Sequence, residues 1–217
     1  MSQNRVKTPN YVNSLSPSVA MRTQLILILC ALLSLLSGCG TSAILDRNAR
    51  APEEDESIVV FKVSPANYKV AFFPGMVENG MFRQDQIFGH SRITGAPKDG
   101  YIVAKAKAGQ TLALTSITEL KEGSTYAGNH FEACGGTRAL VFEVPRSRVA
   151  YLTDIEFERS GDRVAIRYRR DLEGAIAHVR ASYPGIGRDI QPLEFQILPT
   201  AGGCGGGTVI IPIYVGR

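Results

Sequence analysis

Short runs in which apolar and polar residues alternate fill the chain from residue 57 onward, and clusters of glycine, proline and asparagine separate them. Alternation with a period of two is typical of strands that bury one face. The candidate strands are residues 58–63, 68–73, 101–107, 110–118, 138–144, 149–158, 163–170, 193–198 and 208–215. Because such faces must be buried against another sheet, we predict a mainly β fold over residues 57–217, a single antiparallel β-sandwich domain of roughly seven or eight strands.

The hairpin formed by residues 149–158 and 163–170 has a predicted register of its own. A turn centred on Ser160 and Gly161 sets odd-numbered residues of the first strand against even-numbered residues of the second. This register predicts a salt-bridged, solvent-facing set of arginines rather than a phosphate site. The predicted pairs are Phe157 with Val164 and Ile155 with Ile166 on the core side, and Glu158 with Arg163 and Asp154 with Arg167 on the other side.

One segment has the periodicity of a helix. Its apolar residues recur at intervals of three and four, Asp171 is a candidate N-cap, and Pro184 ends the pattern. We therefore predict one amphipathic helix near residues 171–183 that lies across a sheet, with His178 as a flanking surface residue. The apolar stripe consists of Leu172, Ala175, Ile176, Val179 and Tyr183.

The longest irregular stretch runs over residues 74–100, with a short strand predicted near residues 82–88. Structureless loops longer than roughly 12 to 15 residues are uncommon in compact domains and are often functional. This stretch contains Met76, Met81 and Phe82, and adaptable apolar side chains of this kind suit a surface that binds a partner. We predict that these three residues contact a partner; the alternative is a lid that packs them on its own sheet.

An apolar run of 12 residues, from Leu25 to Leu36, follows the basic residue Arg22 near the start of the chain. It is shorter than the roughly 20 residues that a membrane-spanning helix needs, but it has the length of the apolar region of an export signal. Since Met21 already begins a complete short signal, it is our preferred initiator. We predict that residues 1–38 are a signal peptide and take no part in the fold.

The run ends in Leu36, Ser37, Gly38 and Cys39. This stretch resembles the lipobox of bacterial lipoproteins, L-[AS]-[GA]-C, at all four positions. The resemblance implies diacylglycerol on the Cys39 thiol, cleavage before Cys39 and acylation of the new amino terminus. With glycine at position 40 it implies a lipid-anchored protein of the cell envelope, in the outer membrane and facing the periplasm. An ordinary secretory signal is the alternative, since small residues precede both kinds of cleavage site.

Small, charged and proline residues without a sustained period follow the lipobox. For residues 39–56 we predict a lipidated amino terminus and a flexible tether. A flexible coil of this length would hold the domain on the order of 20 to 25 Å from the bilayer.

The charge of the mature chain excludes one class of partner. Of the 24 basic residues, Arg5, Lys7 and Arg22 leave with the signal, so 21 basic residues face 20 acidic ones. A nucleic-acid-binding domain would need a basic stripe or a strongly basic balance. We expect no nucleic-acid partner.

Two cysteines remain after Cys30 leaves with the signal and Cys39 takes the lipid. Outside the cytoplasm disulfides persist, so we predict a bridge between Cys134 and Cys204. The alternative is a metal site, because His130, Glu132 and Cys134 alternate along one strand. Their spacing matches no common metal motif, and we predict no metal.

The segments DGYIVAKAKAGQTLALTSI and ALVFEVPRSRVAYLTDIEF carry a second resemblance. They are similar to envelope lipoproteins with a transthyretin-like or carboxypeptidase-regulatory-like β-sandwich, over about a third of the mature chain. Thr153 stands where such proteins often have glycine. The resemblance implies a fold and a location, but no functional residues.

Motifs for hydrolases, metalloproteases and nucleotide-binding loops do not occur in the sequence. We therefore expect a non-catalytic binding or scaffold module, without a cofactor, whose partner is another envelope protein. The alternative is a hydrolase or an accessory enzyme that acts on envelope polymers. A cleft that gathers His130, Glu132 and perturbed carboxylates would favour the enzyme, and an apolar patch would favour the binding module.

Overall fold

The computed structural model describes residues 43–85, 92–161, 163–187 and 189–203, and the backbone of 213–215. These residues belong to one unit, Ser42–Arg217. In the described part of the chain, no helix is both long enough and apolar enough to cross a membrane. Its elements are β1 (Glu56–Ser64), β2 (Tyr68–Glu78), β3 (Met81–Gln84), β4 (Ile93–Gly95), β5 (Tyr101–Lys107), β6 (Thr111–Leu120), β7 (Gly128–Glu132), β8 (Arg138–Glu143), β9 (Val149–Ser160), β10 (Arg163–Arg169), α1 (Leu172–Ser182), β11 (Ile190–Pro192), β12 (Gln196–Pro199) and β13 (Ile213–Val215).

The strands form two sheets, which confirms the predicted mainly β sandwich with its single helix. Sheet 1 has the order β13-β10-β9-β1-β5, with β11 beside β9. Sheet 2 has the order β12-β8-β6-β2-β3, with β4 beside β2 and β7 beside β6. Most pairs are antiparallel, but β1 with β9, β9 with β11 and β10 with β13 are parallel. The short strands raise the number above the expected seven or eight.

The main core lies between the two sheets. Phe61 of sheet 1 and Phe72 of sheet 2 meet edge to face with ring centroids 5.2 Å apart, and Phe142 meets the other side of Phe72 at 5.7 Å. Large, fully buried side chains of this kind supply most of the apolar area that a small sandwich removes from water.

Helix α1 covers the outer face of sheet 1. Asp171 caps it, because its carboxylate accepts a hydrogen bond from the amide of Gly174 at 2.9 Å. The predicted stripe faces the sheet, with Ala175 and Val179 fully buried. His178 is half-buried rather than on the surface, since its ring stacks on Tyr101 with centroids 4.2 Å apart. As a result β1 is buried on both faces.

The predicted register of the β9–β10 hairpin is wrong by two residues. Phe157 lies opposite Ile166, Ile155 opposite Tyr168, and Glu156 opposite Arg167. The turn is centred one residue later than predicted: Ser160 pairs with Arg163, and Gly161 has a positive φ of 62°. Because a shift of two preserves the alternation of faces, Phe157 and Ile155 still face the core.

Acids neutralise Arg167 and Arg169 of β10, so the prediction of a salt-bridged surface holds for these two arginines, although not with the predicted partners. Ion pairs join Arg167 to Glu158 at 2.8 Å and Arg169 to Glu156 at 3.2 Å. The adjoining Arg170 pairs with Glu194 at 3.0 Å. This surface therefore gives no support to a phosphate site.

The predicted flexible tether is wrong for residues 43–45, which pair with β5. Ala43 accepts a hydrogen bond from the amide of Lys105 at 2.7 Å, and the amide of Leu45 donates to Val103 at 2.8 Å, so this segment adds to the free edge of β5. Ile44 packs against the main core and Leu45 against the helix side of sheet 1. The segment was mistaken for a tether because only a few of its side chains are apolar, and those few cover a strand edge.

Candidate functional site

Sheet 2 curls until its two ends meet, and this curl creates the most distinctive surface in the described part of the chain. Phe82 of β3 forms a parallel bridge with Thr200, which follows β12. The amide of Ala201 donates to the carbonyl of Phe82 at 2.7 Å. Part of the outer face of sheet 2 is therefore covered by the sheet's own end instead of being open to solvent.

A small second core fills the inside of the curl. Phe82 is fully buried there, among side chains of Ala113, Ala133, Ala139 and Val141. Alanine predominates because the facing strands lie close together around one large ring. Gly75 belongs to the same arrangement, since a Cβ atom at that position would lie 2.5 Å from the Phe82 ring.

A groove opens at the rim of this curl, and we call it the rim groove. Its narrow part has a volume of about 270 Å³. Its wide part has a volume of about 600 Å³, and the two parts share Gln84, Ala201 and Gly202. The narrow part is also lined by Phe73, Phe82, Thr115, Ser116, His130, Glu132, Ala133, Cys134, Thr200 and Gly203, and the wide part is also lined by Gly75, Met76, Arg83 and Asp85.

A bulge in β6 aims one hydroxyl into the narrow part. The pairing of β2 with β6 shifts by one residue after Ala71 and Ser116, so Thr115 is the extra residue of β6. Its buried hydroxyl donates to the side-chain oxygen of Gln84 at 2.8 Å. The sequence alternates through this region without any sign of the bulge, so neither Thr115 nor Gln84 was predicted as a site residue.

His130 lies on the rim and is within hydrogen-bonding distance of two side chains. Its Nδ1 is 3.2 Å from the hydroxyl of Thr118, and its Nε2 is 3.0 Å from a carboxylate oxygen of Glu132. A hydroxyl, an imidazole and a carboxylate in this order form the geometry of a nucleophile, a base and an orienting acid. Roughly half of each of the His130 and Glu132 side chains is exposed, so water is not excluded from the chain of bonds.

A metal site at His130, Glu132 and Cys134 was the alternative interpretation of the sequence. All three contact the narrow part of the groove, but no cluster of three or more such residues in the described ranges is arranged to hold a metal ion. The Nε2 atom of His130 bonds instead to Glu132. The metal alternative therefore has no geometric support among these residues.

The three predicted partner-contact residues differ in exposure. Met76 is 54% exposed and lies at the wide part of the groove, and Met81 is half-buried. Phe82 is fully buried in the second core and also lines the narrow part of the groove, so its contact with a partner stays a prediction. The stretch 74–100 is not one loop either, because much of it belongs to β2, β3 and β4; residues 86–91 lie outside the described ranges.

Of the remaining predicted residues, Cys39 and Cys204 lie outside the described ranges, so lipidation and the disulfide stay predictions. Cys134 lies at the narrow part of the groove. Backbone hydrogen bonds join Gly135 to Gly202 at 2.9 Å and Gly136 to Thr200 at 3.0 Å. Gly202, two residues before Cys204, is thus hydrogen-bonded to the residue that follows Cys134. A disulfide between Cys134 and Cys204 requires that these two parts of the chain lie close together.

The carboxylate with a raised pKa, Asp154, lies on the helix side of sheet 1 and does not line the groove. Burial raises the pKa of Asp154, while the hydrogen bond from Tyr151 at 2.7 Å and the charge of Lys62 act in the opposite direction. The Tyr151 hydroxyl also accepts from the amide of Asp171 at 2.9 Å, which ties β9 to the start of α1. These hydrogen bonds hold β9 and the start of α1 together and place no carboxylate in the rim groove.

The sequence matches no family model, and no curated protein or solved structure is significantly similar to it. The role of the rim groove is therefore argued from its geometry.

Proposed function

We propose that this chain is a lipid-anchored protein of the cell envelope that binds an envelope protein through the rim groove and catalyses no reaction. The observation that carries the proposal is the groove itself, which is built on paired strands and combines the apolar side chain of Met76 with the polar groups of Gln84 and Thr115. Concave sites of this composition, with few and well-placed polar groups, are typical of binding sites.

The size of the groove indicates the form of the bound segment. With parts of about 270 and 600 Å³, it accommodates a few side chains of an extended segment, not a folded surface. The shared floor of Ala201 and Gly202 has almost no side chain, so a bound backbone can approach closely. We therefore expect the partner to insert a loop or a terminal segment.

Anchoring at Cys39 is supported by the match to the lipobox and by the short apolar run before it. The outer membrane, on its periplasmic side, is the proposed location. Globomycin, which inhibits the lipoprotein signal peptidase, should cause a precursor to accumulate, and Cys39→Ser should release the protein from the membrane fraction. A Cys39→Ser protein that stays in the membrane would contradict the anchor.

Binding is tested by filling the groove. Ala201→Trp places a large ring where the two parts of the groove join, whereas Ala127→Trp places the same ring on an exposed turn that does not line the groove. After crosslinking of intact envelopes, the wild type and Ala127→Trp should purify with the same partner, and Ala201→Trp should lose it. Melting temperatures of both variants control for folding. Equal recovery with folded Ala201→Trp would refute the groove as the contact.

The hydrogen-bonded series Thr118, His130 and Glu132 favours a second candidate, a hydrolase acting on envelope polymers. Against it, the series is open to water, and the raised pKa of a carboxylate occurs elsewhere, at Asp154. If the chain is a hydrolase, the purified protein should release soluble fragments from isolated envelope polymers, and His130→Ala should abolish this release. Equal release by the wild type and His130→Ala would exclude this site.

A further inference from the structure

The fold begins close to the proposed lipid anchor. Ala43 is already bonded to β5, and it lies four residues after Cys39. Since extended chain spans at most about 3.6 Å per residue, the domain lies within roughly 14 Å of the lipidated residue. This step rests on the proposed function, because it assumes that Cys39 carries the lipid.

The pairing with β5 also shows at which end of that strand the described chain begins, four residues after Cys39. Ile44 lies opposite Ala104 in an antiparallel bridge, and Ala43 bonds to Lys105. The step from Ile44 back to Ala43 therefore runs toward the carboxyl end of β5. That end carries the turn between β5 and β6, after Lys107.

The β2–β3 hairpin projects from the same end of the sandwich. Strand β6 starts there, after the turn, and β2 runs antiparallel to it with Gly75 opposite Thr111. Residues 76–78 continue beyond the first residue of β6. The hairpin closes at Asn79 and Gly80, which both have positive φ angles, 52° and 75°.

Beside its polar turn the hairpin exposes one apolar side chain on each face, and its two charged side chains are paired. Met76 is 54% exposed and Val77 is 46% exposed, and successive strand residues point to opposite faces. Glu78 and Arg83 form an ion pair at 3.3 Å, so the two charges compensate each other. Among the described residues only one other large apolar side chain is exposed, Tyr126, which follows the far end of β6.

From these observations we infer that the hairpin tip, through Met76 and Val77, inserts into the surface of the bilayer that holds the lipid anchor. A lipid surface covers both faces of an inserted hairpin at once, which suits the exposure of Met76 on one face and Val77 on the other. Removing apolar side chains from water favours insertion, and the compensated ion pair lowers the cost of bringing Glu78 and Arg83 to the interface. Because Met76 also lines the wide part of the rim groove, a bound partner would be held beside the membrane.

The chain contains no tryptophan, so a single introduced tryptophan reports its own environment. Val77→Trp places the reporter at the tip, and Tyr126→Trp places a matched reporter at the opposite end. Both full-length lipoproteins are purified from membranes and reconstituted into phosphatidylcholine vesicles, with or without bromine on the acyl chains. Flotation of the vesicles, measured on the same samples, reports anchoring.

We expect both proteins to float with the vesicles. The Val77→Trp protein should emit at shorter wavelength and should lose most of its tryptophan fluorescence in brominated vesicles. The Tyr126→Trp protein should show neither the wavelength shift nor the quenching. If the Val77→Trp protein floats but its fluorescence is not quenched, the inferred insertion is overturned and the lipid anchor is still supported. A tip that contacts a protein instead of lipid would give this result. Equal quenching of both reporters would also overturn the insertion. If the proteins do not float, the anchor fails and the inference fails with it. Met76→Trp, on the other face of the tip, should repeat the result for Val77→Trp.

Discussion

The second core of the curled sheet makes a quantitative prediction for Phe82→Ala. The Phe82 side chain is fully buried, and three of its neighbours are alanines, Ala113, Ala133 and Ala139. Methyl groups fixed on paired strands cannot extend into the space that the ring would leave. We therefore expect a loss of about 4 kcal/mol in the free energy of unfolding, within the usual range for removing a buried phenylalanine.

Urea denaturation of the mature domain measures this loss directly, and thermal unfolding gives an independent value. For a chain of this size, each kcal/mol corresponds to roughly 2 to 4 °C, so the melting temperature should fall on the order of 10 °C. Met76→Ala is the matched control, because it removes a neighbouring apolar side chain that is 54% exposed. Its effect should stay within about 0.5 kcal/mol.

Similar small losses in Phe82→Ala and Met76→Ala would refute the second core. They would show that β3 does not pack on the outer face of sheet 2, and the rim groove would then lose the wall that Phe82 supports.

Three further predictions concern a buried hydroxyl, a buried carboxylate and the two cysteines. The Tyr168 hydroxyl is buried and has no hydrogen-bond partner in the described ranges. Tyr168→Phe should therefore raise the free energy of unfolding, measured in urea, by about 1 kcal/mol. A decrease would mean that the hydroxyl forms a hydrogen bond. Burial raises the pKa of Asp154, so its contribution to stability is present at low pH and is lost as the pH rises through that pKa. Asp154→Asn should therefore gain stability relative to wild type as the pH rises above the ordinary pKa of an aspartate, and a difference that does not change with pH would contradict the shift. Alkylation of the denatured, unreduced mature protein should label neither Cys134 nor Cys204, and labelling of both would exclude the bridge.

The sequence predicted elements well where one periodic pattern ran without interruption. Strand β5 has the predicted bounds, and its residues divide as expected, with Tyr101 and Val103 on the helix side and Ile102 and Ala104 on the core side. Helix α1 begins after the predicted cap and ends one residue before the predicted end.

The predictions were wrong where one inserted residue changed which face a side chain occupies. In β9 the pairing with β1 shifts between Tyr151 and Asp154. Tyr151 consequently faces the helix, although its odd number grouped it with Ile155 and Phe157, which face the main core. Asp154 was predicted on the solvent side and is buried against Tyr151. Bulges of this kind leave the alternation of residue types almost unchanged, so a single sequence does not indicate them.

The rim groove depends on contacts between segments that are far apart in the chain. Its walls meet through the bridge of Phe82 to Thr200, and its polar pair joins Gln84 to Thr115. Local periodicity carries no information about such contacts. What the sequence did indicate was the exposed apolar side chain of Met76, through its position in an irregular stretch.

The most direct test of the proposed function is site-specific photocrosslinking in living cells. A photoreactive phenylalanine replaces His130, on the exposed rim of the groove, or Ala127, on the exposed turn before β7. Irradiation should give a crosslinked product from position 130 and none from position 127, and adding Ala201→Trp should remove it. The same products from both positions, or no product from position 130 in protein that is folded and in the membrane, would contradict binding through the rim groove.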